Sequence, residues 1–184
     1  MKISFIGTGL MGFPMAKNLL KKNLDLKIFS RTLKKSKPLE EFGGKIINSL
    51  SEAIIDSDII LTMLTDDDAV EKVLGNSDFL KNLKPSSTVI DMSSIKPKIA
   101  IKYGKLLKEN NVNFLDAPVS GGTIGAEQGS LAIMVGGDQK IFDNAIDVLR
   151  IMGNPTLVGP IGSGQISKLA YQIIVGVTIG AVAE

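Results

Sequence analysis

The sequence predicts an α/β fold, a doubly wound and mostly parallel sheet with helices on both faces. Three observations predict it. Short apolar runs alternate with longer segments of helical periodicity along the chain. One run, Asp58-Ile-Ile-Leu-Thr-Met-Leu64, is almost continuously apolar, as a strand buried on both faces of a parallel sheet requires. A glycine-spaced turn, Gly7–Gly12, joins the first apolar run to the first helical segment.

The elements follow in order. Ile3–Gly7 is the first strand, and the helix-like stretch from Phe13 to Leu20 follows the turn. Leu26–Phe29 and the short Gly44–Ile47 are the next strands. Ser49–Ser57 reads as a helix, opened by Ser49 and Glu52 at capping-box spacing. After the buried strand at 58–64, Asp67–Leu74 is a helix and Thr88–Met92 a strand. Lys98–Asn110 carries Ile99, Tyr103, Leu106 and Leu107 at helical spacing. Val112–Leu115 and Leu131–Val135 are strands; Lys140–Met152 is a helix with Ile141, Ala145, Val148 and Leu149 on one face. Thr156–Val158 is a last short strand. Right-handed crossovers are expected to put all strand C-terminal ends on one edge, where the polar and glycine-rich segments would converge.

Past Pro160 the character changes. Gly162–Glu184 reads as the opening of one long apolar helix without a C-cap. The expected organisation is therefore a first domain over 1–161 and, from 162 to 184, the opening helix of an all-α domain that is mostly missing. The apolar stretch Ile173–Ala183 is shorter than the ~20 residues of a membrane span, and a buried helix is expected instead.

Composition narrows the chemistry. The chain has 184 residues, 44% of them apolar, which fits a globular protein. Its 21 basic and 19 acidic residues are interspersed and give no reason to expect a nucleic-acid partner. There is no cysteine, hence no disulfide framework or thiolate metal site. There is no histidine, hence no histidine base, histidine metal ligand or Ser-His-Asp triad. Proton transfer falls to Lys, Tyr, Asp or Glu. The N-terminus does not resemble a signal peptide, and a cytoplasmic location without a membrane partner is expected.

The glycine turn points to a ligand. A strand, a G-x-G-x-x-G turn and a helix start form the fingerprint of a Rossmann dinucleotide-binding unit. Gly7 allows the tight turn, Gly9 the close approach of the pyrophosphate, and Gly12 close helix packing; the helix N-terminus offers free N–H groups. The stretch after the second strand, Phe29-Ser30-Arg31-Thr32, has no carboxylate to bind the ribose 2′-OH of NAD. Arg31 can pair with a 2′-phosphate, Ser30 and Thr32 can donate hydrogen bonds, and Lys34 or Lys35 adds charge. The sequence thus favours NADP, with NAD as the alternative; Arg31 as a merely solvated residue stays open. Further on, Ser120-Gly121-Gly122 after a strand exposes bare backbone N–H groups suited to a substrate carboxylate, though a packing role for the glycines is equally compatible.

Three segments carry a resemblance. Phe5-Ile-Gly-Thr-Gly-Leu-Met-Gly-Phe-Pro-Met-Ala-Lys-Asn-Leu19 closely resembles the signature of the β-hydroxyacid dehydrogenase family, that of 3-hydroxyisobutyrate dehydrogenase and tartronate semialdehyde (2-hydroxy-3-oxopropionate) reductase. Asp116–Gly129 resembles its substrate loop, and Gly162-Ser-Gly-Gln-Ile-Ser-Lys168 its catalytic-lysine segment. The resemblance covers the whole chain, with the motifs in family order. It implies cofactor contacts from Gly7, Thr8, Gly9, Leu10, Met11 and Gly12, from Met63 and Leu64, and from Ser94. It implies substrate contacts from Ser120, Gly121 and Gly122, and Lys168 as general acid/base. Tyr171 stands where the family often has Asn, on the same helix face as Lys168 and followed by Gln172, and both are expected beside the substrate. The function implied is NADP-dependent hydride transfer to or from a small β-hydroxyacid or semialdehyde, in a homodimer or higher homo-oligomer joined through the helical segment. A dinucleotide-binding module without turnover is the alternative. A relative acting on a phosphorylated sugar acid ranks last, because the extra basic features for a phosphate are missing.

Overall fold

The computed structural model describes residues 1–184, and every strand expected from the sequence is present. The chain begins β1 (Lys2–Ile6), α1 (Gly12–Leu20), β2 (Asp25–Phe29), α2 (Leu33–Ser36), a 3₁₀ turn at Lys37–Phe42 and β3 (Lys45–Ile46). It continues α3 (Leu50–Ile54), β4 (Ile59–Thr62), α4 (Asp67–Leu74), α5 (Ser77–Asn82), β5 (Thr88–Asp91), α6 (Pro97–Glu109) and β6 (Asn113–Asp116). The last part is β7 (Val119–Ser120), α7 (Gly122–Gln128), β8 (Leu131–Gly136), α8 (Gln139–Met152), β9 (Gly153–Gly159) and α9 (Ser163–Ala183).

The strands form one nine-stranded sheet in the order β3-β2-β1-β4-β5-β6-β8-β7, with β9 on β8. From β3 to β6 every pair is parallel. Alternation along these strands divides the core between two faces. Ile3, Phe5, Leu61, Ile90 and Leu115 pack with Met15 and Leu19 of α1 and with Val148 and Leu149 of α8. Ile6, Ile60, Val89 and Phe114 pack on the other side with Ala53 of α3, Val70 of α4, Phe79 of α5 and Tyr103 of α6. All four residues of β4 are buried, which is why its sequence lacks polar alternation.

Four expectations need correction. First, the strand ends do not all point one way: β6 pairs β8 antiparallel, and β9 runs with β8. The register Asp116↔Gly136 and Gly136↔Gly159 nevertheless brings the ends of β8 and β9 level with the end of β6. The reversed strands thus return the chain to the edge where the parallel strands finish, and α9 starts there. Second, the segment around Ser120-Gly-Gly is not an open loop; Val119 and Ser120 pair with β8, and α7 starts at Gly122. Third, α2, the 3₁₀ turn, α5 and α7 form where no helix was expected. They are short, and such segments offer too few turns for periodicity to show. Asn76 caps α5 through hydrogen bonds from Asp78 and Phe79 N–H.

The fourth correction concerns α9. It is 21 residues long, apolar enough by length and composition to cross a membrane. It is not a buried helix. Only Gly164, Gln165 and Lys168 are buried, and Ile173, Ile174, Val177, Ile179 and Val182 lie 65–82% exposed. The first turns of α9 pack on the sheet, whereas the apolar run from Ile173 extends past it with nothing to cover it.

Candidate active site

The glycine turn has the geometry its spacing predicts. Gly7 has φ 98°, and a Cβ there would strike the Met63 carbonyl. A Cβ on Gly12 would collide with the Gly7 carbonyl oxygen. These two glycines nest β1, α1 and the Met63–Leu64 turn together. Gly9 differs: no protein atom lies within 4 Å of where its Cβ would be. The N–H groups of Gly9, Leu10 and Met11 have no acceptor in the protein. A helix start with free N–H groups and cleared space above Gly9 fits a dinucleotide pyrophosphate. Thr8 is placed differently. Its hydroxyl is buried against Ser36 at 2.6 Å, leaving only its backbone N–H toward a ligand.

An open groove of about 610 Å³ runs from Thr8, Gly9 and Leu10 past Lys17 of α1 and Lys21 at its C-cap. Lys34 and Lys35 of α2 also line it, and Glu127 is its one carboxylate. Ser30, Arg31 and Thr32 do not line this groove; Arg31 and Thr32 are exposed beyond β2.

A second cavity, about 240 Å³, is lined by Asp67, Ser94, Ile95, Lys96, Gln165, Lys168, Leu169 and Gln172. It brings together three residues singled out in the sequence: Ser94 from the turn after β5, and Lys168 and Gln172 from α9. Lys168 is 7% exposed, and none of the ion pairs in the chain involves it. Burial lowers its amine below the ordinary lysine range, and the nearby Tyr171 opposes this slightly. Its Nζ sits 5.6 Å from the centre of the Tyr171 ring, at the outer range of a cation–π contact. Ser120, Gly121 and Gly122 do not line this cavity. Gly121 and Gly122 have φ 135° and 62°, and space beside Gly122 is open.

Four polar residues that were not singled out organise this edge. Asp116 ends β6 wholly buried and accepts hydrogen bonds from Gly162 N–H at 2.7 Å and Gln165 N–H at 3.0 Å. It replaces the side-chain cap that α9 lacks. Burial raises its pKa, and those backbone donors oppose the rise. Asp91 ends β5 beside it in the register. It accepts from Thr62 Oγ1 at 2.7 Å and Ser93 Oγ at 2.6 Å, while Oδ2 is buried without a partner. Burial pushes the Asp91 carboxyl up to about 6. Ser93 Oγ also accepts from Leu64 N–H at 2.9 Å, and the Gln165 amide bonds the backbone on both sides of Ser94. The visible signal for the aspartates is an acid closing an apolar strand; Gln165 lies inside the segment that resembles the lysine motif but has no role assigned by it, and Ser93 carries no signal of its own.

A parallel sheet with a nucleotide-type glycine turn at its edge, and a lysine cavity on the same edge, defines the NAD(P)-binding domain of an oxidoreductase. A family model described as the NAD binding domain of 6-phosphogluconate dehydrogenase matches residues 2–164. The 2-hydroxy-3-oxopropionate reductase of Escherichia coli is 40% identical over 186 residues, covering 100% of this chain and 63% of its own length. A probable mitochondrial 3-hydroxyisobutyrate dehydrogenase of Dictyostelium discoideum is 37% identical, over 99% of this chain and 57% of its own. Among solved structures, the Mycobacterium tuberculosis 3-hydroxyisobutyrate dehydrogenase with L-serine superposes with a TM-score of 0.95 at 32% identity. It covers 99% of this chain and 62% of its own. The chain belongs to the β-hydroxyacid dehydrogenase family and carries its NAD-binding domain. It spans about 64% of the length of the first curated relatives it matches.

Proposed function

We propose that this protein is an NADP-dependent oxidoreductase. It transfers hydride between the nicotinamide and a small β-hydroxyacid or its semialdehyde, of the 3-hydroxyisobutyrate or tartronate semialdehyde type. The observation that carries the reading is Lys168, a buried amine without a counter-ion, in one cavity with Ser94 and Gln172. Two likenesses support the substrate class. The relative in E. coli is named for 2-hydroxy-3-oxopropionate, and the mycobacterial structure holds L-serine, a small β-hydroxy acid. NADP is favoured over NAD because no carboxylate follows β2, where Arg31, Lys34 and Lys35 gather positive charge.

When bound, the cofactor supplies the hydride for reduction. The N–H groups of Gly9, Leu10 and Met11 would hold the pyrophosphate, and Met63, Leu64 and Ser94 would contact the rest of the cofactor. Ser120, Gly121 and Gly122 receive the substrate carboxylate. As the carbonyl carbon gains the hydride, its oxygen becomes an alkoxide, and the Lys168 ammonium donates a proton to it. In oxidation the neutral amine takes the proton back. A lowered pKa serves both directions, making the ammonium a stronger acid and the amine more available near neutrality. Residues 162–184 open a second helical unit whose apolar face meets a second copy of the chain.

The test is titration with NADPH and NADH, followed by a panel of small semialdehydes. NADPH is expected to bind roughly tenfold more tightly, about 1.4 kcal/mol. Lys168→Ala is expected to lower turnover by about a thousandfold with NADPH binding unchanged. Turnover that survives this substitution overturns the role of Lys168. A second reading, a dinucleotide-binding module without turnover, is favoured by the bare apolar face of α9 beside the lysine cavity. NADPH binding without reduction of any substrate supports it.

A further inference from the structure

We infer that Gln165 is a positioning residue, the clamp that sets Lys168 against the turn carrying Ser94. The inference rests on the hydride-transfer reading for its functional meaning, and on geometry for its content. The Lys168 amine makes no ion pair and no hydrogen bond to the protein, so its place is inherited from the backbone of α9. Gln165 lies three residues earlier, on the same face of the helix.

Gln165 is 1% exposed, an unusual place for a glutamine, and both ends of its amide are hydrogen-bonded. Its Oε1 accepts from Ile95 N–H at 3.0 Å, and its Nε2 donates to Ser93 O at 2.8 Å. The two bonds grip the backbone on either side of Ser94. Its own N–H donates to Asp116 Oδ2 at 3.0 Å, which fixes the first turn of α9 on β6. The gripped turn is fixed in its turn, because Ser93 Oγ donates to Asp91 and accepts from Leu64 N–H. An unbroken chain of hydrogen bonds therefore runs from the turn after β4, through the turn after β5, to the helix carrying Lys168. Cofactor-side turns and proton donor are held as one body.

A leucine would fill the same volume but make neither amide bond. If the amide only satisfied buried backbone groups, its loss would lower stability and leave the amine of Lys168 unchanged. If it positions α9, its loss lets the helix lift from the turn and Lys168 gain water, which raises the amine toward its ordinary range.

The experiment compares the chain with Gln165→Leu and Gln165→Glu. Glu keeps the acceptor for Ile95 N–H and loses the donor to Ser93 O. Acetylation of Lys168 by acetic anhydride is followed against pH by peptide mass spectrometry, with exposed lysines as internal reference, beside circular dichroism and urea unfolding. In folded Gln165→Leu, the midpoint of the Lys168 labelling profile is expected to move to higher pH by at least about half a pH unit, a threefold change in the neutral fraction, whatever the change in access to the amine. Where turnover is measured, kcat is expected to fall about 10- to 100-fold, with NADPH affinity held within about twofold. A folded Gln165→Leu with an unchanged Lys168 profile overturns the inference. If Gln165→Leu does not fold, Gln165→Glu decides by the same profile; if neither folds, the role is structural and the inference fails. Labelling needs no turnover. A chain that reduces no substrate therefore counts against the hydride-transfer reading and leaves the clamp to be judged by the labelling profile.

Discussion

Asp91 shows how one buried carboxyl links the stability of this edge to pH. Its folded pKa is raised to about 6 against 3.8 for the free side chain, because burial leaves Oδ2 without a partner. Between these values the folded state binds more protons than the unfolded one, so stability falls as pH rises. The penalty is absent below pH 4 and complete above about 6. At about 1.4 kcal/mol per pH unit the gap corresponds to about 3 kcal/mol. Asp25, Asp58 and Asp67 act in the opposite sense: hydrogen bonds from Lys45, Lys84 and Lys96 lower their pKa. The comparison must therefore be made against a variant. Urea unfolding of the wild type and Asp91→Asn at pH 4, 5, 6 and 7 should show Asn gaining on the wild type as pH rises. Parallel curves would mean that Asp91 is ionised in the fold throughout.

At the scale of elements, the decisive join is between β6 and α9. A helix that starts at a glycine has no local side chain to cap it. Asp116 supplies the cap from 46 and 49 residues away in sequence. The backbone of α9 also comes so close to β6 that a Cβ on Gly164 would meet the Asp116 carbonyl at 2.7 Å. Asp116→Ala removes charged acceptors from buried N–H groups, each such bond contributing about 1.5–3 kcal/mol. We expect a loss of about 3 kcal/mol in unfolding free energy. Hydrogen exchange should quicken first at residues 163–168 and not in β1 or β4. Uniform loss of protection across the sheet would place the effect in the core instead.

At the scale of the whole molecule, the sheet is covered on both faces while α9 is bare beyond Lys168. Ile173, Ile174, Val177, Ile179 and Val182 present an apolar surface that water disfavours. Self-association is the expected response. Sedimentation velocity over a hundredfold concentration range should show a dimer or larger species. The double substitution Ile174→Glu and Val177→Glu should return it to monomer. A wild type that stays monomeric at every concentration contradicts this.

Much of this molecule follows from local sequence. Strand and helix periodicity placed the parallel sheet, and Gly7, Gly9 and Gly12 placed the nucleotide turn. Both signals depend on near neighbours, the alternation of faces and the backbone freedom of glycine. Lys168, Ser94 and Gln172 were named through a resemblance, and only folding put them in one cavity. The reversal of β8 and β9, the Asp116 cap, the Asp91–Ser93 pair and the Gln165 clamp were decided by tertiary structure. Their partners are distant in sequence or are backbone atoms, and a buried hydrogen bond to a carbonyl leaves no mark on the residue type that carries it. The sequence by itself determined that a dinucleotide fold forms and where its glycine turn lies. Tertiary structure decided how the lysine is held against it, because that position depends on strands and turns meeting across the edge of the sheet.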